Sequence, residues 1–160
     1  MIPMNTTIRT LLIANTVAVN LMAGLLFSFS TCVMPALRRL PVQFSLTAIQ
    51  KINRFIINPV FVAIFLGSSG CSIGLLANWF RSADDVPAQA LVGSVIYLVG
   101  FLLVTVTIHL PLNAMIAGLQ SEPAPDAQRW SDITNRWTRF NHVRTLAALV
   151  AGGLLGWALW

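Results

Sequence analysis

Histidine, asparagine and arginine side chains at helical spacing are the residues of this sequence best suited to chemistry. His109 and Asn113 are four positions apart, and Trp137, Asn141 and Arg144 follow one another at intervals of four and three. Residues three or four apart lie on one face of a helix. A neutral imidazole can accept a proton near neutral pH, and amide and guanidinium groups can stabilise an oxyanion. The spacing therefore predicts a polar site that could remove a proton from carbon or oxygen.

The elements that must position these residues are apolar. Only 9% of the 160 residues are charged, where a soluble domain carries about 25%. This composition excludes a soluble enzyme, a disordered tail and a secreted disulfide scaffold. The net charge of +5 comes from scattered basic residues, so the sequence predicts no nucleic-acid partner.

Four stretches without a formal charge predict four transmembrane helices. The stretches are 10–37, 55–80, 86–121 and 145–160, and a helix needs roughly 20 apolar residues to cross the hydrocarbon core. The predicted helices cover about 11–34, 56–79, 91–117 and 141–160, within a single domain of residues 1–160. The apolar stripe Phe44, Ala48, Ile52 and Phe55 also predicts a short interfacial amphipathic helix before the second span. The fold class is an all-α integral membrane four-helix bundle.

Basic residues predict the orientation of this bundle. Eight of the ten Lys and Arg residues lie between helices one and two or between helices three and four, and only Arg9 and Arg81 lie at the opposite end. The positive-inside rule places the eight in the cytoplasm, with both termini outside a plasma or inner membrane.

Small residues at four-residue spacing predict close helix packing. Gly70 and Gly74 form one such pair, and Ala148, Gly152 and Gly156 form a second stripe. Small residues let helix backbones approach in lipid, within one chain or between copies, so formation of a homo-oligomer is one possible use of these faces.

Polar residues predict a site where the four helices approach the cytoplasmic interface. The residues that meet at this depth are Asn53, Asn58, His109, Asn113, Asn141, His142 and Arg144. Buried polar groups in a membrane are costly and therefore suggest function. The alternative is that the asparagines cap and bridge helices while Arg144 anchors its helix at the interface.

Motifs for other chemistries are absent from the sequence. It has no phosphate-binding loop, no nucleophile elbow, and no pair of carboxylates within a predicted span. The spacing of His and Cys does not fit a metal site, although a haem bound by His109 or His142 stays open.

Several segments resemble the anthrone oxygenase-like family of small four-helix membrane proteins. The segments are Gly24–Leu37, Asn53 with Asn58–Phe61, Pro111–Asn113, and Trp137–Thr145. The resemblance runs from about residue 15 to 155, and its most specific parts are Pro-Leu-Asn at 111–113 and Trp-x-x-x-Asn-x-x-Arg at 137–144.

The resemblance implies oxidation of a polyketide anthrone by O2 without a familiar redox cofactor. His142 would then be the first choice of base and His109 the second, because a His is not expected at position 109 in the family. Asn113, Asn141 and Arg144 would stabilise the oxyanion. The residues expected to contact the substrate are Trp137, Phe140, Asn53 and Asn58.

Two functions follow from these observations. The first is a membrane-embedded oxygenase or oxidoreductase that acts on a lipophilic anthrone- or quinone-like molecule, with O2 as co-substrate. The second is a small membrane protein without catalytic activity that binds a lipid or quinone or supports a partner complex. Catalysis would require His142 and Arg144 to face the same cavity, whereas a scaffold would need only the packing stripes.

Overall fold

The described part of the chain is built from five helices. The computed structural model describes residues 5–82, 85–120 and 127–160, and these residues contain no β-strand. The helices, numbered here in chain order, are α1 (Thr6–Leu37), α2 (Val42–Ile56), α3 (Pro59–Arg81), α4 (Ala88–Ala117) and α5 (Ala127–Trp157). The prediction of an all-α membrane bundle is confirmed.

Three of these helices are long and apolar enough to cross a membrane. Among the described residues they are α1, α3 and α4, which coincide with the first three predicted spans. The fourth predicted span, 141–160, is the second half of α5, which begins at Ala127 rather than near Asn141. The helix therefore continues from Trp130 through Trp137 into the predicted span without a break, and α5 is not among the three helices named above.

The interfacial helix lies where the amphipathic stripe predicts it. Helix α2 ends at Ile56, and α3 begins at Pro59, whose ring cannot donate a backbone hydrogen bond. Asn58 caps α3, because its Oδ1 accepts from the Phe61 N–H at 3.0 Å. The chain therefore turns sharply between α2 and α3.

The long helices pack as a bundle with α1 against both α3 and α5, and α4 against both α5 and α3. Two apolar clusters fill it. The first surrounds Leu12, Leu75, Tyr97 and Leu155, and the second surrounds Met34, Ile49, Ile116 and Trp137. The second cluster lies at the end that carries most of the basic residues, called the basic end below.

The closest helix contacts agree only in part with those that the glycine spacing predicts. A Cβ added at Gly100 of α4 would lie 2.5 Å from the Ala147 Cβ of α5, whereas a Cβ at Gly70 would meet nothing within 4 Å. Gly152 does pack closely, against the Asn20 side chain. Gly70 therefore faces open space, and its use in a contact between copies stays a prediction.

Two helices widen into π-helical turns next to prolines. The segment Phe29–Val33 of α1 is π-helical and ends two residues before Pro35. The segments Leu98–Leu103 and Thr105–His109 of α4 are also π-helical, and the second ends two residues before Pro111. Proline removes a helical hydrogen bond and clashes with the preceding turn, so the backbone must rearrange there. Turns of this kind are rare and occur often at functional sites.

Candidate functional site

A cavity of about 720 Å³ lies between the helices in the basic half of the bundle. All five helices contribute to its wall, which is mainly aromatic and aliphatic. The principal apolar residues that line it are Met22, Leu26, Phe29, Phe61, Phe65, Phe101 and Val106. Its size and lining suit a flat, lipophilic molecule.

Six of the nine residues predicted for the site line this cavity. They are Asn53, His109, Asn113, Trp137, Asn141 and Arg144. The structure therefore brings together side chains from α2, α4 and α5 that are up to 91 residues apart in sequence, from Asn53 to Arg144.

The other three predicted residues lie outside the cavity lining. His142 is exposed, since two positions along an α-helix from Arg144 correspond to about 200° of rotation. Asn58 is an exposed helix cap, and Phe140 is half-buried. Of the two residues expected to face one cavity, Arg144 lines it and His142 does not. Catalysis by this particular pair is therefore not supported.

Arg144 is a buried cation with polar partners but no anion. Its side chain is 8% exposed. One guanidinium nitrogen donates to Asn141 Oδ1 at 2.6 Å, and the other donates to Thr105 Oγ1 at 3.2 Å. Nε has no partner among the described residues. Neither acidic residue in the described ranges, Asp85 or Asp132, bonds it, and both are exposed.

Aromatic rings supply the rest of the Arg144 environment. Its guanidinium carbon lies 6.0 Å from the ring centre of Phe101 and 5.9 Å from that of Trp137. Such contacts attract a cation weakly compared with an ion pair. Burying a charge without a counter-ion is costly. The arrangement is therefore suited to a ligand that brings a negative or electron-rich oxygen.

Asn141 holds Arg144 in place. Its Nδ2 donates to the Leu26 carbonyl at 2.9 Å and to Ser30 Oγ at 2.8 Å, while its Oδ1 accepts from Arg144. Both amide hydrogens are used by α1, so Asn141 has no donor left for a ligand. Asn141 therefore positions Arg144 and does not donate to an oxyanion, the role expected for it from sequence.

Asn113, in contrast, has a free donor. Its Oδ1 accepts from Trp137 Nε1 at 2.9 Å and from Asn53 Nδ2 at 3.5 Å, which fixes the orientation of the amide. Within the described ranges its Nδ2 donates to no protein acceptor. The amide hydrogens of Asn113 are therefore available to a molecule in the cavity.

His109 is buried without a hydrogen-bond partner. Its side chain is 1% exposed, and neither ring nitrogen has a partner among the described residues. The imidazole packs edge-on against Trp137, with 5.1 Å between the ring centres. Unsatisfied buried polar groups are uncommon and suggest a missing ligand or a functional demand. His109 is thus the histidine that the fold presents to the cavity.

Sequence reasoning missed Phe101 and Thr105, which line the cavity beside Arg144. The signal was present, since Phe101, Thr105, His109 and Asn113 recur every four residues. In a regular α-helix such a row rotates by about 40° at each step. The wider π-helical turns of α4 offset this rotation, so the row stays on the cavity side.

The described residues contain no cluster of three or more His, Cys, Asp or Glu side chains that could hold a metal ion. The polar groups that line the cavity are instead mostly nitrogen-based: the His109 imidazole, two guanidinium groups, four side-chain amides and the Trp137 indole, together with the Thr105 hydroxyl. Such a set offers one candidate base and several hydrogen-bond donors.

The fold and the cavity together define a helical membrane protein with a buried, cation-containing pocket. Within this class the chain belongs to the anthrone oxygenase family, whose sequence pattern it matches over residues 53–154. The match covers well over half of the chain and contains α3, α4 and most of α5. The comparisons with curated proteins and with solved structures found no match.

Proposed function

We propose that the protein is a membrane-embedded oxygenase that oxidises a lipophilic anthrone- or quinone-like substrate with O2 in this cavity. The single observation that carries the proposal is Arg144, a buried guanidinium that has no acidic partner among the described residues and lines a mainly apolar cavity. Membership of the anthrone oxygenase family supports the class of reaction. A hydroxylated anthrone would fit because its oxyanion supplies the missing charge.

The proposed reaction begins with removal of a proton from the substrate. An anthrone methylene is acidic because the resulting carbanion is delocalised onto the ring carbonyl oxygen. His109 is the proposed base, since it lines the cavity and neither of its nitrogens has a hydrogen-bond partner among the described residues. His142, the first choice from sequence, would have to act from the exposed face of α5.

The oxyanion would accept hydrogen bonds from Arg144 and from the free Asn113 amide. The electron-rich carbon then reacts with O2 to give a hydroperoxide, which loses water and leaves a carbonyl. One oxygen atom enters the product, and the other leaves as water with the two methylene hydrogens. The substrate therefore supplies all four electrons that reduce O2, and the proposal requires no redox cofactor.

The test compares two arginine substitutions on α5 in purified protein in detergent. Arg144→Gln removes the cavity cation, and Arg139→Gln removes an exposed one that does not line the cavity. With an anthrone substrate we expect Arg144→Gln to lower kcat/KM by about 10²–10³-fold, as for the loss of an oxyanion donor. Arg139→Gln should retain the wild-type rate. The readouts are O2 uptake and the absorbance of the quinone product.

Equal rates for the wild type and Arg144→Gln would remove the proposed mechanism. Binding of anthrone without O2 uptake in the wild type would instead favour the non-catalytic alternative, a protein that binds a quinone or lipid. The volume and apolar wall of the cavity are compatible with that alternative.

A further inference from the structure

The cavity is closed toward the basic end by α2. Gln50 Nε2 donates to the backbone carbonyls of Ile116 and Leu119, both at 2.9 Å, and Asn53 Nδ2 lies 3.5 Å from Asn113 Oδ1. These bonds tie α2 across the end of α4. Both Gln50 and Asn53 line the cavity. They therefore form part of a floor between the cavity and the basic surface of the protein, beside Arg54, which lines the cavity and is exposed.

The opposite end is closed by contacts between α3 and α4. Ser68 and Tyr97 share a hydrogen bond of 2.8 Å, and the Tyr97 and Phe101 rings stack at 4.6 Å. Phe65 packs on Phe101 at 5.6 Å between ring centres. These rings and hydroxyls form a roof at the end opposite the basic surface.

The side between α3 and α4 is different, because residues there both line the cavity and face the surroundings. Ile57 is 67% exposed, Val106 is 50% exposed and Leu110 is 53% exposed, and all three line the cavity. Val106 and Leu110 lie 11 and 7 residues before the end of α4 at Ala117. At about 1.5 Å per residue this places them roughly 10–17 Å from that end, within one apolar leaflet.

Arg144 lies at the depth of this opening. It bonds Thr105, the neighbour of Val106 in sequence, and not a group near the floor. A ligand would reach a cation at the membrane surface from water. Arg144 instead lies beside an apolar gap in the side of the bundle, where a ligand would arrive from the lipid.

We propose that Ile57, Val106 and Leu110 frame a lateral portal through which a lipophilic acid leaves the bilayer and places its acidic oxygen on Arg144. The inference rests on the cavity being the binding site in the proposed function, but it does not require oxidation. Charge complementarity selects the occupant, because Arg144 is buried and has no acidic partner among the described residues, whereas Arg54, which also lines the cavity, is exposed.

The test uses the fluorescence of Trp137, a buried residue of the cavity wall. A protein that keeps Trp137 and carries Phe in place of the other four Trp is reconstituted in phospholipid vesicles. The quencher is stearic acid spin-labelled close to its carboxyl group, and the methyl ester of the same molecule is the uncharged control. We expect saturable quenching by the acid, and about tenfold weaker binding of the ester, which cannot form a charged pair.

The portal is tested by narrowing it with Val106→Phe and Leu110→Phe in the same single-Trp protein. We expect quenching to develop several-fold more slowly. Val99→Phe is the matched control, because Val99 is 55% exposed on α4 and does not line the cavity. A second control keeps Trp130 instead of Trp137, since Trp130 is also buried but does not line this cavity.

Unchanged quenching in the narrowed protein, or equal effects of Val99→Phe and the portal substitutions, would overturn the lateral route. Equal binding of acid and ester, or a preference for the acid that survives Arg144→Gln, would overturn the role of Arg144 in selecting the ligand, since Arg54 also lines the cavity. The Trp137 emission without ligand checks that each variant is folded. Because no O2 chemistry is measured, a protein that binds the acid but does not oxidise anthrone would contradict only the proposed function.

Discussion

Hydrogen bonds from two neighbouring helices hold the Arg144 side chain and leave one of its nitrogens unpaired among the described residues. Asn141 ties Arg144 to α1 through Leu26 and Ser30, and Thr105 ties it to α4. Every donor of Asn141 is used, whereas Nε of Arg144 is not. The guanidinium is therefore held by the protein on one side and left for a ligand on the other.

The two histidines provide a residue-scale prediction. We expect His109→Phe to lower kcat for anthrone oxidation by about 10²–10⁴-fold, the usual contribution of a general base, while His142→Ala stays near wild type. The reason is that His109 lines the cavity and His142 is exposed on α5. Initial rates of quinone formation measure both. Loss of activity only in His142→Ala would restore His142 as the base.

Asn141→Ala is expected to lower stability and activity together. It removes one hydrogen-bond partner each from Ser30 and Arg144, which keep Thr145 and Thr105 as partners, and each lost bond costs about 0.5–1.5 kcal/mol or more. Asn135→Ala, on the exposed face of the same helix, should change neither quantity. Thermal unfolding in detergent and kcat/KM are the measurements. A stable but inactive Asn141→Ala protein would show instead that Asn141 contacts the substrate.

At the scale of helices, the π-helical turns of α4 orient side chains toward the cavity, whereas Gly100 allows close packing on α5. The π-helical turns keep Phe101, Thr105 and His109 on the cavity side. Gly100 lies on the side of α4 that meets α5, close to Ala147. Helix α4 therefore both supplies the cavity wall and packs tightly on the helix that carries Arg144.

Gly100→Ala tests this packing. The added Cβ would lie 2.5 Å from the Ala147 Cβ, so α4 and α5 would have to separate, at a cost of about 1–3 kcal/mol. Gly153→Ala is the control, since a Cβ there meets nothing within 4 Å. We expect a lower Tm only for Gly100→Ala. Equal Tm values for both variants would mean that α4 and α5 are less closely packed than described.

For the molecule as a whole, the uneven distribution of charge predicts its orientation. Eight basic residues were counted for one end from sequence, but Arg144 turns into the cavity, which leaves seven against Arg9 and Arg81. The asymmetry is still strong enough for the positive-inside rule.

We therefore expect the C-terminus to lie outside a bacterial inner membrane. Alkaline phosphatase fused after Trp160 should be active, because the enzyme works only outside the cytoplasm, and green fluorescent protein at the same site should stay dark. The opposite pattern would place the basic end outside and contradict the rule for this chain.

Local sequence determined the helices and the membrane class. Hydropathy and helical spacing are properties of neighbouring residues, so the three long apolar spans and the amphipathic α2 could both be predicted. Six of the nine residues predicted for the site also line the cavity, because the polar residues of α2, α4 and α5 lie at one depth.

Only the tertiary structure decided which way those residues face and which bonds they use. It placed His109 rather than His142 in the cavity, used the Asn141 amide within the bundle, and added Phe101 and Thr105 to the wall. The direction of a side chain depends on π-helical turns, and its hydrogen bonds depend on neighbouring helices. A pattern that assumes regular helices contains neither kind of information.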